Sequence, residues 1–278
     1  MNSVSGFKNV VHGLVRILEK SSNAVGAMAL LSIVLAPVSM AGASPLSPYS
    51  GSGFDVSYPQ CSVTSYPNGF AIVGLGGGRP FTTSTCFAAQ WSAVSVWTAK
   101  NIGSATPTTP SLYFNTGYAV AYAKEITATC KTAATNNVPI APGTSSHLAN
   151  VETQAWEIGC SEADYAASVS GVSPSMWWAD VESGNSWSTN QSYNQFTIDG
   201  LAYQMSVSSS STPWGFYSTT SSWDKLVGST FIATPSIYAN WQPGSCGPSS
   251  AFSSGASLWL AQSTGTVGGL TFDLDTAC

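Results

Sequence analysis

Short apolar runs recur along the chain from residue 53 onwards, separated by residues that favour turns. Their length and their content of Val, Ile, Tyr, Phe and Trp are typical of β-strands. The pattern predicts eight strands, at residues 54–57, 70–76, 111–115, 176–182, 214–218, 236–241, 257–262 and 270–275. Helix-like stretches predict helices at residues 86–99, 119–133, 149–169, 191–208 and 220–227.

The order of these elements predicts the fold class. Through the fifth strand, strands and helices are interleaved, as in a parallel sheet that closes into a barrel. The last three strands have little helix between them. We therefore predict one α/β domain over residues 53–278, an irregular TIM-type β/α barrel of eight strands whose helices are sparse in the C-terminal part.

The first 43 residues differ from the rest of the chain. Three basic residues precede an apolar stretch at residues 24–43, which ends in the small residues Ala-Gly-Ala. This order is typical of a secretory signal peptide and its cleavage site. A membrane anchor is the competing interpretation, but the run is short and is interrupted by Pro37. We predict a signal peptide at 1–43, a Pro/Ser/Gly linker at 44–52, and a secreted, extracellular protein without membrane contact after cleavage.

Charge and composition narrow the range of partners. Beyond residue 43 the chain carries five Lys and Arg against twelve Asp and Glu, a net charge of −7, without a basic cluster. Since binding to nucleic acid requires cations that neutralise phosphates, we expect no nucleic-acid partner. Only 8% of the residues are charged, and Ser, Thr, Gly, Trp and Tyr are abundant. Such a polar but uncharged surface suits an extracellular monomer that meets polysaccharide.

All six cysteines lie beyond the predicted cleavage site. An even number in an exported protein predicts three disulfides, for which six cysteines allow fifteen pairings. No C-x-x-C pair occurs, which argues against zinc or redox chemistry. We expect neighbours along the chain to pair, because each bond then closes one local excursion. The expected pairs are Cys61 with Cys86, Cys130 with Cys160, and Cys246 with Cys278.

The segment "MWWADVESGNSW" at residues 176–187 carries the most informative chemistry. Side chains alternate along a strand, so Trp178, Asp180 and Glu182 share one face and lie toward the barrel mouth. At a rise of roughly 3.3 Å per residue, the two carboxylates are about 6.6 Å apart at Cα. They cannot both ionise freely, and the one nearer apolar surface is expected to hold a proton. Glycosidic bond cleavage needs such an acid beside a negative charge, and Trp178 offers a ring on which a sugar can stack.

A D-x-E pair also occurs at ordinary strand ends, so the prediction depends on its companions. Because chemistry in such barrels gathers where strands meet their following loops, we expect one pocket there. Its predicted further members are Asp55, Asn115, Tyr217, Gln262 and Asp273, with Asp275 near the last of these. The pocket acids alone do not distinguish one polysaccharide from another, so chitin or a fungal or plant glucan stays open as a substrate.

Four motifs together resemble glycoside hydrolase family 25, the lysozyme-type muramidases. They are "GFDVSYPQ", "WWADVE", "LWLAQ" and "FDLD", on the first, fourth, seventh and last predicted strands. The resemblance spans roughly residues 53–278 and implies an irregular β/α barrel that cleaves β-1,4 bonds of peptidoglycan after N-acetylmuramic acid. It also implies that Glu182 is the general acid and Asp180 its partner, and that Asp55 and Asp273 are the pocket aspartates of the first and last strands.

The sequence departs from the family pattern in three places: the second strand enters the glycine-rich "GLGGGRPFTTSTC", the third ends in "YFNTG", and Cys61 follows the first. These departures favour an outlying secreted branch. They also keep open a different class of function, a non-catalytic glycan-binding barrel that retains the family pocket.

Other enzyme classes fit poorly. "GLGGGR" lacks the third glycine of a dinucleotide fingerprint, because Arg79 occupies that position. A serine hydrolase needs a histidine, and beyond residue 43 only His147 is present, without a G-x-S-x-G motif. A hard cation on Asp180, Asp273 and Asp275 would have no His cluster or Ca²⁺-loop pattern to support it. We predict a hydrolase that needs no metal and no cofactor.

Overall fold

A computed structural model describes residues 46–138, 151–208, 212–247 and 251–278. Eight strands form one closed barrel in chain order. They are β1 (Ser52–Val56), β2 (Phe70–Gly74), β3 (Ser111–Asn115), β4 (Trp177–Asp180), β5 (Trp214–Tyr217), β6 (Ala239–Pro243), β7 (Ser257–Val267) and β8 (Leu270–Ala277). The eight strands and the α/β barrel class are thus confirmed. The predicted signal peptide at 1–43 and His147 lie outside the described residues.

The strand directions correct one expectation. From β1 to β7 each strand pairs in parallel with the next. Strand β8 instead runs antiparallel to both β7 and β1. The reason is the two-residue turn Gly268-Gly269, whose φ values of 60° and 82° are those of a tight hairpin. A parallel neighbour would need a crossover of a dozen residues or more.

Helices cover the outside of the barrel unevenly. They are α1 (Phe87–Asn101), α2 (Ala128–Asn137), α3 (Val151–Ser170), α4 (Gln191–Ser208) and α5 (Thr220–Leu226). Among the described residues no α-helix follows α5, so the sparse C-terminal covering is confirmed. Between β1 and β2 there is only a 3₁₀ turn at Tyr58–Gln60, and the first α-helix follows β2, where the sequence predicted it.

The helix predicted at 119–133 is divided in two. A 3₁₀ helix spans Val120–Glu125, and α2 begins after Thr127. The side-chain oxygen of Thr127 accepts a hydrogen bond from the backbone N–H of Cys130, which is the arrangement of a helix N-cap. The single predicted helix was therefore wrong, because a capping threonine starts a new helix inside the apolar pattern.

Alternation along the strands separates two apolar layers. Outward-facing residues such as Val73, Phe114 and Phe216 pack beneath the helices. Inward-facing residues fill the lower part of the barrel, and Ile72 and Trp178 among them are fully buried. Filling the lower barrel with apolar side chains leaves only the upper end open for a polar site.

Tyr49 closes the lower end of the barrel. It lies within the predicted linker 44–52 but is buried, and its hydroxyl hydrogen-bonds Ser111 and accepts from the indole N–H of Trp178. Ser50 pairs with Thr106 through a β-bridge. The second half of the predicted linker is therefore packed against the barrel.

Three disulfides join neighbours along the chain, as predicted. Cys61 bonds Cys86, Cys130 bonds Cys160, and Cys246 bonds Cys278. Each bond closes a loop, with sequence separations of 25, 30 and 32 residues. Because a disulfide limits the freedom of the unfolded chain, each of the three loops stabilises the fold. One ion pair, Lys124 with Glu125, is found in the described part of the chain.

Helices α3 and α4 approach each other through a pair of glycines. A Cβ at Gly159 would lie 1.8 Å from the carbonyl oxygen of Thr197. A Cβ at Gly200 would lie 1.9 Å from the carbonyl oxygen of Trp156. Each glycine thus permits backbone-to-backbone contact between the two helices, and any side chain would force them apart.

We therefore expect Gly159→Ala and Gly200→Ala each to lower the free energy of unfolding by about 2–3 kcal/mol, the range of overpacked cores. The loss should appear even though alanine is the better helix former. Urea denaturation measures it, with Gly184→Ala as the matched control, because a Cβ there meets nothing within 4 Å. Equal stability of all three variants would contradict the close approach.

Candidate active site

A pocket of about 300 Å³ opens at the upper end of the barrel, where the parallel strands end. Six of the predicted site residues line it: Asp55, Asp180, Glu182, Tyr217, Gln262 and Asp273. Tyr113 and Trp241 complete the lining. Four carboxyl groups from three parts of the chain thus meet in one cavity, and none of the described residues that line it is Lys, Arg or His.

Strand β4 places the central pair as the alternation predicted. Trp177 and Ala179 pack in the outer layer, whereas Trp178 and Asp180 lie inside the barrel. Glu182 follows the end of the strand, and its backbone carbonyl accepts hydrogen bonds from the indole N–H of Trp187 at 2.8 Å and the backbone N–H of Asn185 at 3.0 Å. The loop therefore fixes the backbone of Glu182, and no hydrogen bond holds its carboxyl group among the described residues.

Asp180 is held more tightly than Glu182. The amide of Asn115 donates to Asp180 Oδ2 at 2.7 Å, and the hydroxyl of Thr116 donates to the Asp180 carbonyl at 2.6 Å. The other carboxyl oxygen, Oδ1, is buried and has no hydrogen-bond partner among the described residues. Asn115 does not line the pocket itself. Its place is behind Asp180, where it orients the carboxyl group.

The opposite wall is a chain of hydrogen bonds across three strands. The hydroxyl of Tyr217 donates to Gln262 Oε1 at 2.8 Å, and the Gln262 amide donates to Asp55 Oδ2 at 2.8 Å. Asp273 lies opposite Asp55 in the β1–β8 pairing and accepts from Thr264 at 3.2 Å. Gln262 and Asp273 stand in the middle of β7 and β8, because this hairpin extends past the ends of the other strands.

The prediction that Trp178 binds sugar is wrong. Its side chain is fully buried, and its indole N–H is bonded to Tyr49 below the pocket. The pocket floor is Trp241 instead, whose ring contacts Tyr217 at 4.7 Å and Trp178 at 5.6 Å between centroids. Tyr113 is the second aromatic side chain in the lining. Alternation could have found Tyr113, since it shares a face with Asn115, and Trp241 could have been found because it ends the predicted strand at 236–241.

Burial and mutual repulsion raise the pKa values of three pocket acids, Asp55, Asp180 and Glu182. For Asp55 the main cause is burial, followed by the charge of Asp273. For Asp180 it is burial, followed by the charge of Glu182, and the amide of Asn115 opposes both. The pKa of Glu182 is raised by burial and then by the charge of Asp273. The cluster therefore retains protons at pH values where isolated carboxyl groups have lost them.

The burial of the central pair is the reverse of what its predicted roles require. The acid was expected to be the carboxyl group nearer apolar surface, and the family resemblance implies Glu182 for that role, but Asp180 is 5% exposed and Glu182 is half-buried. Two groups that interact this strongly titrate as a pair. Burial therefore does not show which of the two carboxyl groups is the general acid. The freedom of each carboxyl group to reach a substrate distinguishes them better.

Asp275 lies one step deeper than the pocket. It pairs with Gly53 in the β1–β8 ladder, below the Asp55–Asp273 pair, and is 1% exposed. Its Oδ1 accepts from the indole N–H of Trp241 at 2.8 Å. Burial and the charge of Asp55 raise its pKa well above the usual range. The raised pKa favours the neutral form of this carboxyl group, which holds the tryptophan of the pocket floor.

Among the described residues, the requirements of a metal site and of a membrane-spanning helix are not met. No group of three or more His, Cys, Asp or Glu side chains among them is arranged to hold a metal ion. In the same part of the chain, no helix has the length and the apolar character needed to cross a membrane.

Raised carboxyl pKa values predict that the protein is most stable in acid. Above about pH 4, the unfolded chain has released protons that Asp55, Asp180 and Asp275 still hold in the native state. The free energy of unfolding should therefore fall as the pH rises from about 4 towards 8. Denaturation at several pH values measures this slope.

Asp275→Asn serves as the companion variant for that measurement. The substitution keeps the carbonyl acceptor for Trp241 and removes one titrating group. We expect a shallower slope, with a stability at pH 7.5 equal to or above that of the wild-type protein. A wild-type stability that rises from pH 4 to 8 would contradict the assignment of protons to the buried acids.

No family model matches the sequence, and no curated protein matches it. Solved structures do match the fold. A muramidase from Trichobolus zukalii is similar with a TM-score of 0.52 at 15% identity, covering 82% of this chain and 94% of that one. The bacterial lysozyme from Streptomyces coelicolor gives 0.50 at 17% identity, covering 82% and 92% of the two chains.

A family GH25 lysozyme from Aspergillus fumigatus is similar to the same degree, with a TM-score of 0.50 at 12% identity and coverage of 82% of this chain and 94% of that one. At such low identities the similarity concerns the fold. The chain has the irregular β/α barrel of the glycoside hydrolase family 25 lysozymes, as its sequence motifs predicted.

Proposed function

We propose that the protein is a secreted glycoside hydrolase that cleaves β-1,4 bonds of peptidoglycan, with Glu182 as the general acid and Asp180 as its partner. One observation carries the proposal: Asp180 and Glu182 converge with Asp55 and Asp273 in a single open pocket. The GH25-like fold supports it, since the similar structures are muramidases and lysozymes. Secretion is supported by the three disulfides, which persist in oxidising compartments.

The two carboxyl groups suit different roles because they are held differently. Glu182 has a longer side chain without a hydrogen bond to its carboxyl group among the described residues, so it is free to meet a leaving oxygen. Asp180 is fixed by Asn115, and in the form of the pair whose single proton is on Glu182, the fixed carboxylate of Asp180 stabilises positive charge that develops on the sugar. We therefore assign the acid to Glu182, which can reach the substrate, and the stabilising charge to Asp180, which is fixed in place.

In the first step, the proton of Glu182 moves to the glycosidic oxygen while the bond between that oxygen and the anomeric carbon breaks. The bonding electron pair leaves with the oxygen, and the positive charge of the oxocarbenium-like centre is stabilised by Asp180. A water molecule then adds to the anomeric carbon and returns its proton to Glu182. No cofactor is required for this sequence of steps.

The remaining lining residues bind the sugar and hold it in a fixed orientation. The Tyr217–Gln262–Asp55 chain presents polar groups at fixed positions, which suits hydroxyl and acetamido groups. Trp241 supplies an apolar floor, and Asp275 keeps its ring in place. Asp273 adds negative charge beside Glu182 and so helps that group to keep its proton.

The direct test is Glu182→Gln. We expect a loss of roughly 10²- to 10⁴-fold in the release of reducing ends from purified peptidoglycan, the usual contribution of a general acid. The oxidised protein without residues 1–43 is the enzyme, and Glu125→Gln, on a surface 3₁₀ helix, is the matched control. Activity that survives Glu182→Gln would refute the role of this residue.

The glycan-binding alternative has a distinct outcome in the same experiment. If neither the wild-type protein nor the variant releases ends, while both are retained on the polymer, the barrel is a recognition module. The unusual loops after β2 and β3 are the observation that favours this second function. A panel of chitin and glucans under the same conditions identifies a different substrate if peptidoglycan is not cleaved.

Asn115→Ala tests the role of Asp180. Removing the 2.7 Å amide hydrogen bond destabilises the charged carboxylate, so the pKa of Asp180 rises further. If ionised Asp180 is needed, the rise of kcat/KM with pH should move to higher pH. Asn137→Ala, whose amide bonds only a helix carbonyl, is the control. An unchanged pH profile in Asn115→Ala would contradict the role.

A further inference from the structure

The proposed substrate and the pocket carry charge of the same sign. The muramic acid residues of peptidoglycan bear a lactyl ether, and its carboxyl group or the peptide attached to it is anionic. Four carboxyl groups line the pocket without a Lys, Arg or His among the described lining residues. Like charges repel more strongly at a low-dielectric surface, so a cation near the pocket rim would favour binding of the anionic substituent.

Arg79 is the cation best placed for this task. Beyond residue 43 the other basic side chains are Lys100, Lys124, Lys131 and Lys225. Three of these lie on helices α1, α2 and α5, and Lys124 pairs with Glu125 at 3.6 Å. Arg79 lies in the loop after β2, at the open end of the barrel, where it is exposed and makes no ion pair with the described residues.

The turn that carries Arg79 is built rigidly. The hydroxyl of Thr82 accepts from the backbone N–H of Gly77 at 3.1 Å and donates to the carbonyl of Arg79 at 2.6 Å. Phe81 adopts φ = 54°, a left-handed conformation that a bulky residue seldom takes. Its ring is packed against Tyr122 and Tyr165, at 5.5 and 5.8 Å between centroids. Such strain persists only where the surroundings enforce it, and it is frequent at binding sites.

The turn packs behind the pocket wall through Gly76. A Cβ on Gly76 would lie 2.7 Å from Asn115 Oδ1, so the turn packs on the amide that holds Asp180. On its other side, a Cβ on Gly78 would lie 3.1 Å from the ring of Tyr58. Tyr58 is 50% exposed, the most exposed aromatic side chain of the described residues. Tyr58, Gly78 and Arg79 form what we call the rim patch.

We propose that the rim patch is a subsite for the carboxylate-bearing substituent of the glycan. The Arg79 guanidinium binds the carboxylate with two parallel N–H donors. The exposed ring of Tyr58 lies against the apolar part of the same glycan substituent. This inference rests on the proposed function, because it names the part of the peptidoglycan that the pocket acids would otherwise repel. The rim patch thereby binds the charged substituent of the substrate, while the glycosidic bond is cleaved inside the pocket.

The test compares Arg79→Gln with Lys225→Gln, which removes the same charge from the exposed surface of α5. Both are made in the Glu182→Gln protein, so that binding is measured without turnover. The probes are purified peptidoglycan and the same polymer with its carboxyl groups capped by methylamine. We expect Arg79→Gln to weaken co-sedimentation with the uncapped polymer roughly ten-fold, as for one charge-assisted contact, and to leave binding to the capped polymer unchanged. Lys225→Gln should change neither.

Each outcome separates the two proposals. Equal losses on both polymers, or equal effects of the two variants, overturn the subsite whatever the catalytic result. If Arg79-dependent binding is found but the wild-type protein releases no reducing ends, the subsite stands and the hydrolase proposal fails. If no form binds either polymer, the subsite fails, and the release of reducing ends by the wild-type protein alone decides the hydrolase proposal. Tyr58→Ala checks the aromatic part, and a loss on both polymers is expected there because the ring contact does not depend on charge.

Discussion

The structure is organised around carboxyl groups that are buried together, with no Lys, Arg or His among the described residues that line their pocket. Asp55, Asp180 and Asp275 are each less than 8% exposed, and Glu182 and Asp273 stand beside them. Burial of one isolated carboxylate is costly, and burial of several costs more unless protons or hydrogen bonds compensate. The closed barrel supplies the compensation through amide, indole and hydroxyl donors on neighbouring strands. A fold that spends stability on such a cluster is expected to use it, since perturbed acids concentrate at functional sites.

The apolar architecture below makes this cluster possible. Tyr49 and the inward side chains fill the lower barrel, and the pocket that holds the acids opens at the upper end. The hairpin β7–β8 closes the sheet and extends past the other strands, carrying Gln262 and Asp273 into the pocket. Gly159 and Gly200 bring α3 and α4 together behind β3 and β4, the strands that carry Asn115 and Asp180. The packing of the lower core and of the helices therefore positions the residues of the site.

Sequence periodicity predicted most of the fold and six of the eight named site residues in the lining, because alternation along a strand is a local property. It placed Asp180 inside and Ala179 outside before any contact was known. What it missed depends on neighbours distant in sequence. Trp178 lies on the correct face, but Tyr49 and Trp241 seal it below the pocket. The turn residues Gly268-Gly269 could have predicted the antiparallel direction of β8. The greater burial of Asp180 than of Glu182, in contrast, depends on how the barrel closes.

The central claim is that this acid cluster cuts the glycan after N-acetylmuramic acid. The most direct measurement is the identity of the new reducing end, obtained by digesting purified peptidoglycan with the oxidised protein, reducing the products with borohydride and analysing them by mass spectrometry. The account predicts reduced N-acetylmuramic acid at the new ends, absent when Glu182→Gln replaces the wild-type protein. Reduced N-acetylglucosamine at those ends, or no new ends from any digest, would contradict it.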